Sequence, residues 1–322
     1  MKKFFIKLTI FLLITLLFQA LFLIVYMRSL PQLVALEKAQ KEKTDIIYFG
    51  DSSDTNYDNK DLDKRSISQM LQEILPDYSM TSISHPAYAA DIFLDFCKNM
   101  IKQKYYPKVV IIPINMRSFS LSWDKNPGWQ FEQEKTILKN KLLFMFFKTI
   151  EVFDKNNKRF NEITQGEFEN MEVFNGEKAA GIVKDFEKHE FRNYSEENMK
   201  NSILYFYMFS LKNDHRKLNS LAEMKKILLE NNIKPVFYIT SIDYETGERY
   251  FTGEFTERLK NNVETIKSAL EEDNFKVLDL SMDLKTNFFT QEKYPNEHLN
   301  EKGRKYVAEK IGEMIKKDEK EK

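Results

Sequence analysis

Hydrophobic positions along the chain change period several times, and each change predicts an element. Leu8 to Met27 is a run of twenty positions without a charge, broken only by Thr9, Thr15 and Gln19. At 1.5 Å rise per residue, such a run covers roughly 30 Å as a helix, the thickness of a bilayer core. A cleaved signal peptide would have a shorter apolar region ending at a small-x-small site. Tyr26-Met27-Arg28 closes the run instead, so the pattern favours a retained signal anchor over residues 1–28. Lys2, Lys3 and Lys7 precede the span and Arg28 follows it, which favours an N-terminus inside, although Lys38, Lys41 and Lys43 weaken the contrast.

Residues 29–44 read as a polar, helix-compatible connector. Asp45 to Phe49 is then an apolar run of strand length ending at Gly50, and Lys108 to Ile114 is a second continuous run. Such runs suit strands buried on both faces. Met80 to Ser84, Pro235 to Thr240 and Phe275 to Leu280 are further strand candidates. Helical spacing appears across Ile67–Ile74, Ile92–Ile101, Leu218–Leu229, Phe255–Leu270 and Glu301–Lys316. Strands alternating with helices predict an α/β fold with a parallel sheet covered on both faces. The alternation fails at about 120–200, which reads as an insertion capping the core, with an aromatic-rich helical stretch through Leu142 to Phe147, of which Phe144 to Phe147 read as a buried helix face, and Trp123 and Trp129 shaping an acceptor or partner surface. The expected organisation is an anchor (1–28), a connector (29–44), a domain (45–316) and a charged tail (317–322).

Composition narrows the function. Of 322 residues, 49 are Lys or Arg and 49 are Asp or Glu, and a formal charge of zero argues against a nucleic-acid partner. Cys97 is the single cysteine, so neither an internal disulfide nor a cysteine-based zinc site is available. Four histidines make a His-rich metal site unexpected, and no phosphate-binding GxxxxGK[ST] loop occurs. No cofactor and no metal are expected.

In a parallel sheet, chemistry gathers beyond the C-terminal strand ends. Three such ends carry polar clusters: Gly50-Asp51-Ser52-Ser53-Asp54, Asn115 with Arg117 and Ser118, and Asn296-Glu297-His298-Leu299-Asn300 before the final helix. Each has an ordinary reading as turn, cap or loop residues. Taken together, a Gly-Asp-Ser after the first strand, an Asn after a middle strand and a His-Leu-Asn-x-x-Gly before the last helix resemble the SGNH (GDSL-type) hydrolase superfamily over roughly 45–120 and 232–316.

That resemblance implies a three-layer α/β/α sandwich. It also implies that Ser52 is the nucleophile, His298 the general base and Asn115 an oxyanion-hole donor beside the backbone N–H of Ser52. A serine hydroxyl is a poor nucleophile until an adjacent imidazole removes its proton. Two departures stand out. The family's second-strand glycine is absent from Ser84-His85-Pro86-Ala87-Tyr88-Ala89, leaving the Ala87 backbone N–H as substitute. The usual acid, three residues before the histidine, is replaced by Pro295, so Glu297, Glu292 or Asp283 is expected to orient His298, or the pair works as a dyad.

The tether and the fold together are similar to accessory proteins of cell-surface acylation, including D-alanylation of teichoic acids and O-acetylation of polysaccharides. The implied function is an extracytoplasmic, membrane-anchored esterase or O-acyl transferase. It implies a cell-surface polysaccharide or teichoic-acid-like substrate and a membrane O-acyltransferase partner, with residues 8–27 in the lipid bilayer. Water as acceptor makes it an esterase, and a sugar hydroxyl makes it a transferase. The alternative is a catalytically inactive protein of the same fold serving as a binding or assembly factor.

Overall fold

The structure is a computed structural model and describes residues 1–141, 144, 163–183, 195–272, 274–290 and 296–320. Five strands form one parallel sheet: β1 (Ile46–Gly50), β2 (Met80–Ser84), β3 (Val109–Ile114), β4 (Lys234–Ile239) and β5 (Leu278–Asp279). The principal helices are α1 (Lys2–Arg28), α2 (Pro31–Glu42), α3 (Ile67–Ile74), α4 (Ala90–Lys102), α5 (Glu196–Phe206), α6 (Arg216–Glu230), α7 (Glu254–Leu270) and α8 (Glu301–Lys320).

Period-two alternation divides the strand side chains between two cores. Ile47, Phe49, Val110, Ile112, Phe237 and Ile239 face the larger layer, built by α2, α4, α6, α7 and the insertion. Ile46, Tyr48, Val109, Ile111, Val236 and Tyr238 face the smaller layer, closed by α3 and α8. The three-layer α/β/α sandwich expected from the sequence is therefore present. At its centre the two inward tyrosines of the small layer, Tyr48 and Tyr238, satisfy each other's hydroxyls at 2.6 Å.

The strand order is β2-β1-β3-β4-β5. The chain steps outward from β1 to β2 and then back past it to β3, so the topological switch falls between β1 and β3. Crevices beyond the strand ends at such a switch are where parallel sheets place their sites.

Local chemistry explains most boundaries. Ser66 and Gln69 form a reciprocal cap on α3. α2 starts at Pro31, the position where a missing N–H costs nothing. β5 is shorter than the Phe275–Leu280 run predicts. The Val277 N–H donates to Glu271 Oε1 at 3.0 Å, and Phe275 bridges Glu272, so only Leu278 and Asp279 pair with β4.

Among the described residues α1 is the one helix long and apolar enough to cross a membrane, and its apolar window is wholly unburied. In the insertion, Trp123 is buried, stacks on Trp129 at 4.4 Å between ring centroids, and Trp129 in turn approaches Phe206. Trp123 is thus packed inside, while Trp129 is half-buried against it. Of the apolar run Leu142 to Phe147, only Phe144 lies within the described residues, and it is buried and stacked on Tyr26 at 5.4 Å.

Candidate active site

β1 ends at Gly50, and the chain turns at once into a one-turn helix, Ser52–Thr55. Gly50 is required by crowding: a Cβ there would stand 2.2 Å from Ser84 Oγ and 2.9 Å from Asp54 Cβ. Asp51 caps the turn, its Oδ1 accepting from the Ser53 N–H at 2.7 Å. Ser52 is left half-buried at the mouth.

His298 arrives from the other end of the chain, three residues before α8 begins. Asn296 Oδ1 accepts its backbone N–H at 2.7 Å, and its carbonyl accepts from Thr290 N at 2.9 Å. Gly303 lets the first turn of α8 approach closely, since a Cβ would lie 2.7 Å from the Phe288 carbonyl. Held this way, His298 Nε2 stands 3.1 Å from Ser52 Oγ, within hydrogen-bond reach. Burial lowers the His298 pKa from its ordinary 6.5, while Glu297 opposes that shift and Arg117 adds to it. The neutral imidazole, the form able to accept a proton, is thereby favoured.

Glu297 is fully buried beside it. Its Oε1 lies 3.2 Å from Arg117 Nη1 and 3.8 Å from His298 Nε2, and its Oε2 accepts from the Tyr207 hydroxyl at 2.8 Å. Burial pushes this carboxyl up, but Arg117, His298, Tyr207 and Asn115 outweigh it and the net shift is down. Arg117 is itself buried, its guanidinium 4.7 Å from the centre of the Phe206 ring. Among the described residues Glu297 carries the only carboxylate in ion-pair range of the His298 ring. It stands at Nε2, the nitrogen that meets Ser52, whereas a triad acid would hold Nδ1. Asp283 is elsewhere, accepting the Tyr306 hydroxyl at 3.0 Å on an exposed face. Glu292 and Pro295 lie outside the described residues.

Asn115 sits at the end of β3, across the switch from Ser52. Its Nδ2 donates to Asp51 Oδ2 at 2.8 Å, and its Oδ1 accepts from Arg117 N at 3.1 Å. The amide that the resemblance assigns to an oxyanion is therefore engaged with a buried carboxylate in this structure. Burial raises the Asp51 pKa, and the bonds from Ser53 and Asn115 only partly offset that.

Ala87 supplies an informative detail. Its φ of 67° is in the left-handed region, where an alanine is uncommon and a glycine is at ease. The loop thus keeps the backbone conformation a glycine would allow, at the position where the sequence lacks one. The His85 N–H donates to the Gly50 carbonyl at 3.2 Å and holds this loop against the serine turn.

Ser52, His298, Asn115, Glu297 and the Ala87 loop are thus gathered at one strand-end crevice, and Asp283 is not. Sequence reasoning did not mark Tyr207 or Arg304 as parts of this region, and it placed Asp51 in the cluster without giving it a partner. Arg304 on α8 is wholly buried, donating to the carbonyls of Arg65 and Leu299 at 2.8 Å each and to Asp61 Oδ2 at 2.9 Å. A lone arginine in a lysine-rich helix carries no local signal of such a role.

No protein-family model matches the chain, and no curated protein matches it. Solved structures similar to it include two mutants of Axe2 from Geobacillus stearothermophilus. One, described as an acetyl-xylooligosaccharide esterase, shares 12% identity, with 83% of this chain and 92% of that chain covered at a TM-score of 0.23. The other, described as an acetylxylan esterase, shares 14% identity over 73% and 86% at a TM-score of 0.21. At these scores the fold assignment rests on the sheet itself.

Proposed function

We propose that this chain is a membrane-anchored serine ester hydrolase or O-acyl transferase of the SGNH type, with residues 45–316 outside the cytoplasm. The observation that carries the reading is the 3.1 Å approach of His298 Nε2 to Ser52 Oγ, two groups 246 positions apart in sequence. Ser52 Oγ attacks the ester carbonyl carbon while its proton passes to His298 Nε2. The imidazolium then protonates the departing alkoxide, leaving an acyl-serine. Water or a sugar hydroxyl attacks that acyl group, its proton goes to His298, and Ser52 is released with the proton restored. Backbone N–H groups of Ser52 and Ala87 are the proposed oxyanion donors, joined by Asn115 if substrate draws its amide from Asp51. Glu297, next to Nε2, stabilises the imidazolium by charge.

The acceptor class, a cell-surface polysaccharide or teichoic-acid-like polymer, and a membrane O-acyltransferase partner come from the sequence resemblance. A non-catalytic binding or assembly role is the second reading, favoured by the engagement of Asn115 with Asp51. The two separate in one experiment with the full chain in detergent micelles. A short-chain aryl ester and a fluorophosphonate probe are offered to wild type, Ser52→Ala, His298→Ala and the double variant. The esterase reading expects each single change to lower turnover by roughly 10³-fold or more, with the double variant little worse. Full activity in Ser52→Ala, or multiplicative losses in the double variant, sinks the pairing. Absence of wild-type turnover on every ester tried favours the binding role.

A further inference from the structure

α2 is a docked strut. Leu33, Leu36 and Ala39 are buried in the larger layer, and the helix runs antiparallel along β2. Gln32 Nε2 donates to the Ser84 carbonyl at 2.8 Å at the C-terminal end of β2, and Thr44 Oγ1 meets Thr81 Oγ1 at 3.2 Å near its N-terminal end. The break between α1 and α2 at Ser29-Leu30 therefore lies at the same end of the sheet as Ser52 and His298. Tyr26 is tied there, stacked on Phe144 and bonded to Gln133. Among the preceding residues Phe18 and Val25 are each 67% exposed. α1 thus leaves the domain from its active-site end.

A second feature lies at that end. The segment 56–65, which follows the serine turn, is held from beneath by two side chains of α8. Arg304 grips it through the Arg65 carbonyl and Asp61, and Glu301 Oε2 accepts the backbone N–H groups of Leu62 and Asp63 at 2.8 and 2.9 Å. At the tip of this fixed loop Leu62 is 95% exposed, with Tyr57 exposed nearby and Lys64 Nζ 5.4 Å from its ring centre. Lys60 and Lys64 are exposed as well. An apolar tip, an aromatic and flanking lysines are the elements of an interfacial membrane contact.

We propose that the active-site end of the sheet rests on the bilayer that holds α1. Leu62 and Tyr57 enter the headgroup layer, and Lys60 and Lys64 meet lipid phosphates. The inference rests on the reading of α1 as membrane-embedded. It also means that an ester reaches Ser52 from the plane of the membrane surface.

Full-length chain in vesicles of phosphatidylcholine and phosphatidylglycerol tests it. Cysteines introduced singly at Leu62, Tyr106 or Phe11 carry a fluorophore, and nitroxide-labelled lipids serve as quenchers. Tyr106 is an exposed reference ahead of β3, at the opposite end of the sheet, and Phe11 reports on the anchor itself. The expected result is at least threefold stronger quenching at Leu62 than at Tyr106 by headgroup nitroxides, with Phe11 quenched by deep acyl-chain nitroxides. Exchanging Lys60 and Lys64 for Glu should then reduce the Leu62 signal. Quenching at Phe11 without an excess at Leu62 overturns the orientation and leaves the anchor standing. No quenching at Phe11 overturns the anchor and the orientation together. Protection of Leu62 in native membranes but not in pure lipid assigns the loop to a protein partner and also overturns the proposal.

Discussion

Two carboxylates are buried on either side of the serine turn, and the structure balances them differently. Asp54, on the β2 side, is surrounded by serines: Ser68 donates from N at 2.9 Å and from Oγ at 3.1 Å, and Ser84 Oγ from 2.7 Å. Glu297, on the β3 side, has a buried arginine, a tyrosine hydroxyl and an imidazole around it. Burial dominates at Asp54 and its pKa rises despite the hydroxyls; at Glu297 the pKa falls despite burial. Neutral dipoles reduce the desolvation penalty, and a cation reverses it. Asp54 serves to pin the serine turn to β2 and to the start of α3. Glu297 keeps a full negative charge next to the His298 imidazole.

Breaking the cation side has the largest expected effect. Arg117→Met leaves Glu297 buried without its counter-charge and should lower unfolding free energy by about 3–5 kcal/mol in chemical denaturation. A loss under about 1 kcal/mol would mean that the pair contributes little. Glu297→Gln comes next. It removes the negative charge 3.8 Å from Nε2, so the His298 pKa, already below 6.5, should fall further. NMR titration of the His298 ring protons reads this directly, and in an active enzyme the acid limb of kcat/KM moves down with it. A rise in that pKa would refute the electrostatic role.

Asp54→Asn is the smallest perturbation and sharpens the contrast through pH. The folded pKa of Asp54 lies above its ordinary 3.8, so its stabilising contribution is complete below that value and is lost as pH rises through the folded pKa. Glu297 behaves oppositely: its contribution is present above its ordinary 4.5 and is lost as pH falls through the lowered folded value. Asp54→Asn should therefore change stability at neutral pH by only about 1 kcal/mol or less, while removing a stabilising response to acid. Melting temperature against pH distinguishes this from a variant that merely loosens the turn, which would lose stability equally at every pH.

The sheet was legible because β1, β3 and β4 are apolar on both faces and bounded by turn residues. The place of β5 was legible but its length was not, since its pairing is limited by the Glu271 side chain, a contact that period and propensity do not encode. The serine turn and His298 were legible because caps, glycines and strand ends have local signatures. Arg117, Tyr207 and Arg304 act through partners far away in sequence. A buried cation contradicts the expectation from composition, and only the fold reveals what offsets it. The Ala87 loop is intermediate: the missing glycine was visible, but the left-handed backbone that remains was not.

The smaller core layer has a consequence in time. Tyr48, Ile111, Tyr238 and their neighbours on one sheet face are covered by α3 and then by Val307, Ala308, Ile311 and Ile315 of α8. At 5–20 residues per second, roughly 12–50 s of synthesis separate Ser52 from His298. During that interval the face awaiting α8 stays open, and Ser52 is without its imidazole neighbour. The event that shields this apolar surface is also the event that brings in the imidazole, so a chain that still exposes this face lacks the Ser52–His298 contact.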